Sequence, residues 1–459
     1  MEWLNITFWV VGTLITVLGP LVLIHELGHF ISAKLAGVRV EEFGFGFPPR
    51  MLGLWRGMGY LDIGSTRVTI PRHIELGSLG KLTLPASLLV GSHIDAIAMR
   101  QEDETYLLQS FELLDPESED VAPILEQVED SVCIRGEVTD IERGTLYSLN
   151  WLPMGAFVKM TGEEDPSDPR SLASQPKRWR IVVIGAGIVL NIIAAFVLIT
   201  SAYVSGIPEK WTVQIGNVIP QTPAVAAGMQ PRDVILAIDG EVIEEGPEQL
   251  QRIVQAAPDE TLEFTIMRED ETLTLSATPM ARQCEAGEAY CVAGTGFLGI
   301  EMAMWPIRTS LHHASIPEAM QLSINDFGRI AQMLVQMPGR LIQGEMSPEE
   351  ARPTSVIGAS QILTFFLQQS IEWQLAFPVL HAAALISLAL GLTNLLPLPG
   401  LDGGRILFVL IEAVRGRRIS PEREAAIHVV GLAIMIFVMT LVMMYDVIDP
   451  IISWSLLMK

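Results

Sequence analysis

The residues with the clearest chemistry lie near the start of the chain, in Leu23-Ile24-His25-Glu26-Leu27-Gly28-His29-Phe30. On a helix, positions i and i+4 share a face with side chains about 6 Å apart, so His25 and His29 can grip one metal ion. Glu26 follows His25 directly, close enough to take a proton from a water held by that ion. The chemistry served by this combination is metal-assisted hydrolysis. The motif also sits inside an apolar run, where ionisable side chains are costly and are kept for function.

A catalytic zinc takes three protein ligands and leaves one position open. The third ligand must therefore be a His, Asp or Glu at the same depth as the histidine pair. A second stretch supplies it: Asn394-Leu395-Leu396-Pro397-Leu398-Pro399-Gly400-Leu401-Asp402-Gly403-Gly404-Arg405. Two prolines break a helix there, and glycines beside Asp402 let the backbone approach closely. Asp402 is the expected third ligand. Asn394, whose amide donates or accepts, is a candidate to hold substrate backbone or a developing oxyanion. His381 and His428 also lie in apolar segments, but their expected roles are in packing or behind the ligands.

The elements that must carry these residues are membrane spans. Hydrophobic residues make up 49% of the 459, and the mean hydropathy is +0.38, both high for a soluble protein. Four stretches are apolar enough to cross a bilayer: about Ile6 to Ala33, Ile181 to Val204, Leu375 to Leu398 and Ala425 to Met444. The first carries no cleavage pattern and is expected to be retained. Lys34, Arg39, Arg50 and Arg56 follow the first span, and Lys177, Arg178 and Arg180 precede the second. Arg405, Arg415, Arg417, Arg418 and Arg423 fill the link between the last two. The positive-inside rule makes both links cytoplasmic and puts both termini and residues 205–374 outside. The helix from Leu4 to His25 rises about 31 Å, which places the histidines towards the cytoplasmic side. Gly19-Pro20 interrupts that helix one turn earlier, and a kink is expected there.

The fold class that follows is a multi-pass α-helical membrane protein with soluble attachments. Its expected parts are 1–34, a first span with the metal motif; 35–180, a cytoplasmic loop; 181–206, the second span; and 207–305, an extracytoplasmic domain. Then come 306–374, an amphipathic helical linker; 375–410, the third span with Asp402; and 411–459, a cytoplasmic turn and the fourth span. Within the loop, Thr145–Met160 reads as strand, Pro/Gly bend and strand, apolar enough to dip against the bilayer beside the metal. Residues 67–143 look inserted, with short strand-like runs and an acidic helical piece around Glu119–Asp130. No chemistry is legible in this insert, and His73 and His93 are isolated.

In the outer domain, Ala226-Ala227-Gly228-Met229-Gln230-Pro231-Arg232-Asp233-Val234-Ile235-Leu236-Ala237-Ile238-Asp239-Gly240 resembles a bacterial PDZ signature, and Gly296–Ile300 is expected to close its sheet. Such domains add an extended peptide to a sheet edge. Cys284 and Cys291, on the oxidising side, could close a local loop. The net charge of −23 argues against nucleic acid as a partner.

Taken in order, HELGHF, EEFGFGF, GTLYSLNWLPMGAFVKM, RIVVIGAGIVLNIIAAF, the PDZ-like stretch and NLLPLPGLDGGRIL resemble the site-2 protease family of intramembrane zinc metalloproteases, in its bacterial RseP-like branch. Apart from the insert, the likeness spans nearly the whole chain. It implies one zinc per chain on His25, His29 and Asp402, with Glu26 as the base. It also implies that the Tyr147–Met160 hairpin presents a strand edge to an unwound substrate helix, with Tyr147, Leu149 and Gly155 along it. The implied substrate is a single-pass membrane protein, cut within its transmembrane segment during regulated intramembrane proteolysis, for instance an anti-sigma factor or a remnant signal peptide. The partners are that substrate, the lipid bilayer and a peptide or protein on the PDZ domain. Two departures lie away from the metal: Gly185-Ala186-Gly187 ahead of Asn191, and Val356-Ile357-Gly358 before the third span. The rival readings are a catalytically silent PDZ-bearing membrane receptor or adaptor, and a transporter with a metal at a broken helix. The first leaves Glu26 and three ligands without a task. The second lacks the internal repeats that alternating access needs.

Overall fold

The computed structural model describes residues 2–74, 84, 88–101, 105–114, 124–128, 131–163, 165–269, 271–282, 294–343 and 352–452. Two compact units divide the chain. One comprises Met1–Leu198, Phe327–Phe366 and Ala382–Lys459, and the other Ile199–Asp326 and Leu367–His381.

Among the described residues, four helices are long and apolar enough to cross a membrane: Thr7–Leu35, Lys177–Ser205, Phe377–Asn394 and Glu422–Ile448. In the last, only 6% of the most apolar window is buried. Ile434, Ile436, Phe437, Met444 and their neighbours are exposed, as on a helix whose apolar surface faces lipid.

The first span contains a single π-helical turn, Leu14–Leu18, between Glu2–Thr13 and Gly19–Leu35. Pro20 explains it. A proline has no N–H to give and its ring crowds the carbonyl one turn back, and widening the helix relieves both. The expected interruption is therefore a π-turn with the helix continuing. Leu18, at the end of the turn, and Leu21 beyond it pack with Leu363, Ala382 and Ala383.

The expected combination of membrane spans with β-rich attachments is present, and the β content of the loop after the first span exceeds one hairpin. Val40–Arg56 and Leu146–Met160 each fold back on themselves and interleave. Phe43 pairs with both Tyr147 and Val158, while Trp55 pairs with Tyr147 and Arg50 with Asn150. Across the sheet the order is thus 50–56, 146–150, 42–45, 156–160. His73–Ile74 covers the outer side at Trp55 and Arg56. The 156–160 segment pairs on one side only among the described residues. The single expected hairpin is therefore one half of an interleaved pair, and its second arm is the open edge.

The inserted stretch folds into a six-stranded sheet. Gly59–Ile63, Thr66–Ile70, Tyr106–Leu113, His93–Arg100, Ser131–Glu142 and Ile124–Val128 follow one another across it. Gly59–Ile63 also pairs with Ser131–Glu142, which closes the first five into a ring. Closure removes sheet edges. The interior holds Leu61, Ile70, Leu88, Ile94, Leu108 and their neighbours. Within the stretch Glu119–Asp130, expected as an acidic helix, the described part is corrected: Ile124–Val128 is a strand paired with Ser131 to Arg135, and the remainder lies outside the described residues. The backbone groups of a neighbouring strand outweigh a weak local helical preference.

In the other unit, Trp211–Val218, Val234–Ile238, Leu262–Arg268, Glu271–Ala277 and Ile300–Pro306 form an antiparallel sheet. The helices Pro223–Ala226 and Pro247–Ala256 supply residues to its core, which includes Ala224, Leu250, Ile215, Ile235, Phe264 and Ile266. Ile300–Pro306 closes this sheet beside Trp211–Val218, whereas Gly296–Phe297 pairs elsewhere, with Met280–Ala281. Cys284 and Cys291 lie outside the described residues.

Candidate metal centre

His25 and His29 leave the helix Gly19–Leu35 on one face, both 7% exposed. Their Nε2 atoms stand 3.2 Å apart. Asp402 Oδ2 lies 3.0 Å from His25 Nε2 and 3.2 Å from His29 Nε2. Three ligand atoms of suitable chemistry, two imidazole nitrogens and a carboxylate oxygen, therefore converge on one point and could hold a metal ion.

Each candidate histidine ligand is held from behind. His29 Nδ1 meets the Val183 carbonyl at 2.8 Å, which fixes the proton on Nδ1 and frees Nε2 as a donor atom. His25 Nδ1 lies 3.2 Å from the amide of Asn191, which is fully buried. If His25 is to ligate through Nε2, its Nδ1 carries the proton and needs an acceptor. The Asn191 oxygen fills that role when the amide presents Oδ1 to the ring. That orientation also gives a partner to the Oδ1 atom, which otherwise lies buried without one among the described residues. Asn191 is in turn tied through its carbonyl to Ser387 in the third span, at 2.9 Å.

The second span presses close on the histidines. A Cβ at Gly187 would fall 2.6 Å from His29 Nε2 and 2.7 Å from His25 Nε2. Only a residue without a side chain leaves those nitrogen atoms clear there, so the Gly185–Gly187 departure, expected away from the metal, instead abuts the candidate ligands. Asp402 opens the helix Asp402–Arg415. Before it, the loop from Leu395 folds over the helix start, and a Cβ at Gly403 would lie 2.3 Å from the Leu395 carbonyl oxygen. His428, from the fourth span, accepts the Gly400 N–H at 3.2 Å and steadies this loop two residues before Asp402.

A cavity of about 400 Å³ opens over the three ligands. Glu26 and Asn394 both line it, as do Phe157, Val158 and Met160 of the open sheet edge. The Val158 backbone amide faces the Glu26 carboxylate, so this N–H of the edge points at the site. Arg405 and Glu163 pair at 2.7 Å on the rim.

Of the expected site residues, the structure brings His25, Glu26, His29, Asp402 and Asn394 together around this cavity. It does not bring Tyr147 and Leu149 there. Tyr147 stacks on Trp55 at 4.8 Å, and Leu149 pairs with Phe45 and Leu52, both inside the sheet. Gly155, at φ +120°, makes the bend before the edge and packs against Phe47 and Val22. Phe157, Val158 and the Asn191 support were not singled out. Their signal is the mostly apolar strand after the Pro/Gly bend and a lone amide in an apolar helix.

The site thus has the donor set of a mononuclear metallohydrolase, in a protein with four candidate membrane spans. The chain belongs to peptidase family M50, whose model matches residues 13–60 and 137–438. It is similar to the "Probable protease eep" of Enterococcus faecalis, with 28% identity over 95% of this chain and 98% of the relative. The "Zinc metalloprotease RasP" of Bacillus licheniformis is 28% identical over 94% and 97%, and the "Regulator of sigma-W protease RasP" of Bacillus subtilis 26% over 94% and 97%. The protein is a membrane-embedded zinc metalloprotease. The family model passes over 61–136, which is most of the ringed insert sheet.

Proposed function

We propose that this protease hydrolyses peptide bonds inside the transmembrane segments of single-pass membrane proteins, with His25, His29 and Asp402 as zinc ligands and Glu26 as the general base. The observation that carries this reading is the meeting of His25 and Asp402, 377 residues apart in sequence, in a cavity bordered by an open strand edge. Zinc held there supplies Lewis-acid activation of a water and a peptide carbonyl. Glu26 accepts the water's proton and returns it to the leaving amine. Asn191 and the Val183 carbonyl hold the two imidazoles in register. Asn394, on the cavity wall, donates from its amide to the substrate carbonyl as charge develops on it.

A transmembrane helix hides its amides in its own hydrogen bonds, so a substrate must unwind before it is cut. In hydrocarbon each freed group costs several kcal/mol unless it finds a partner. The 156–160 edge offers such partners by strand addition, beside Glu26. Helix-destabilised substrates are therefore preferred, such as a membrane-anchored anti-sigma factor already shortened outside, or a remnant signal peptide. The name of the Bacillus subtilis relative, a regulator of sigma-W, supports the first of these. The basic links put the active site towards the cytoplasm and both termini outside. The sheet of the second unit, with Ala226–Gly240 at its heart, is read as an extracytoplasmic PDZ domain that binds a peptide or excludes large ectodomains.

The test is to incubate the purified protein in detergent with a single-pass substrate and map the products by mass spectrometry. A cut within the apolar segment, abolished by a zinc chelator and restored by zinc, is expected. Cleavage only in the soluble flanks, or activity indifferent to chelation, contradicts the proposal.

A further inference from the structure

Along the fourth span, Pro421–Ile448, the buried residues among those described are Glu424, His428 and Asp446, all of them ionisable. The apolar side chains around them, such as Val430, Ile434 and Phe437, are exposed instead. An ionisable group in a span is costly and is kept for a task. Gly431, Met435 and Val442 are half-buried, and together the six fall at spacings of three, four or seven residues. One stripe of this helix therefore packs on protein. His428 and Asp446 are 18 residues apart, which is five full turns and about 27 Å of rise. They sit on one line towards opposite ends of the span.

At the His428 end, the stripe holds the chain on both sides of Asp402. His428 Nδ1 accepts the Gly400 N–H at 3.2 Å, and its ring lies against Phe408 with centroids 5.2 Å apart. Gly400 precedes Asp402 by two residues, and Phe408 belongs to the helix that Asp402 opens. Pro399 fits against Gly431, where a Cβ would collide with the proline ring. A Cβ at Gly400 would lie 3.1 Å from Met435 Cε.

At the other end, the fully buried Asp446 carboxylate takes hydrogen bonds from Arg352 at 2.7 Å, from the Ser355 N–H at 2.9 Å and from the Ser355 hydroxyl. Gln361 donates to the Asp446 backbone carbonyl at 3.1 Å. Ser355 precedes the helix Val356–Trp373, and Gln361 lies in it. Further along that helix, the Thr364 hydroxyl meets that of Thr13 at 2.7 Å, and Leu363 packs with Leu18 and Leu21. Thr13, Leu18 and Leu21 belong to the first span, which carries His25 and His29. One intervening helix thus ties the Asp446 end to the span of the two histidines.

We propose that the fourth span is a brace that sets the position of Asp402 against His25 and His29, with His428 and Asp446 as its positioning residues. This inference rests on the zinc reading of the three converging ligand atoms. A buried ion pair contributes little net stability, and its best use is to fix register. At Asp446 the pair with Arg352 fixes the depth and rotation of the span. At His428 and Gly431 that position is handed to the loop before Asp402.

The test is zinc retention by the full chain in detergent against graded chelator. Absorption of the cobalt(II)-loaded protein gives a second readout, of ligand geometry. His428→Leu and Gly431→Ala are expected to hold zinc about tenfold more weakly and to shift the cobalt bands. His428→Asn, which keeps an acceptor where Nδ1 stands, restores both readouts. Asp446→Asn, distant from His428 along the span, weakens retention about threefold. Val430→Ala, on the exposed face, changes neither readout. Wild-type retention and absorption in His428→Leu and Gly431→Ala overturn the proposal. Wild-type behaviour of Asp446→Asn overturns it too, since the brace then has no second end. A His428→Asn variant no better than His428→Leu removes His428 as a positioning residue. Asp402→Ala reads the ligand assignment by itself. Loss of zinc there, with wild-type retention in the other variants, contradicts the brace alone, whereas full retention there contradicts the zinc reading as well.

Discussion

At the scale of single residues, the site is a problem of orientation. Imidazoles bind a metal only when the ligating nitrogen is deprotonated and aimed, and here the Val183 carbonyl and the Asn191 amide set both conditions. Replacing Asn191 with Leu keeps the branching at Cγ but leaves His25 Nδ1 unsupported. Zinc affinity is then expected to fall about 10- to 100-fold, read from zinc retained against graded chelator. Asn191→Asp, which still accepts from Nδ1–H, recovers most of it. Identical retention in Asn191→Leu and wild type would show that the amide does not hold the ring. The proposed ligands were legible because each lies in a motif whose local geometry is informative: i and i+4 on a helix, and Asp402 among prolines and glycines. The support was not legible in the same way. A buried amide in an apolar helix says that it has a partner without saying which, and the partner here is 166 residues away in sequence.

At the scale of elements, the open edge of the interleaved sheet matters most. The sequence marks a strand, a bend at Gly155 and a strand, but register between distant strands is set by pairing that no short pattern encodes. For that reason Tyr147 and Leu149 looked like edge residues and are interior ones, while 156–160 is exposed beside the cavity. Val158→Pro removes one outward N–H and leaves the inward pairing of its neighbours with 42–45. Loss of one hydrogen bond to substrate lowers kcat/KM about tenfold with zinc content unchanged. A steady-state comparison with Tyr147→Phe, expected to act like wild type, checks this. Equal rates for Val158→Pro and wild type would mean that substrate does not add to this edge. The insert shows a second limit of sequence reading. Its strands are short and its acid content suggests a solvated helix, yet a ring of strands with Leu61, Ile70 and Ile94 inside is what forms.

At the scale of the whole molecule, the four apolar helices were the most legible feature, because hydropathy over about 20 residues leaves few alternatives. The π-turn at Leu14–Leu18 was half legible: Pro20 demands an adjustment, but whether a helix kinks or widens depends on its packing. Sidedness rests on the basic links. A cysteine placed at Glu241, in the sheet of the second unit, is expected to react with a membrane-impermeant maleimide on intact cells. One placed at Glu112, in the insert, reacts only after lysis, both in a chain otherwise free of cysteine. The reverse pattern would invert the topology and put the metal on the other side.

The most direct measurement compares wild type with Glu26→Gln, each purified with its metal and given the same single-pass substrate. Glu26 lines the cavity but is not among the three converging ligands. The variant should therefore retain about one zinc per chain and lose cleavage by a factor on the order of 10² to 10⁴. Cleavage by Glu26→Gln at the wild-type rate, with zinc bound in both, would contradict the account.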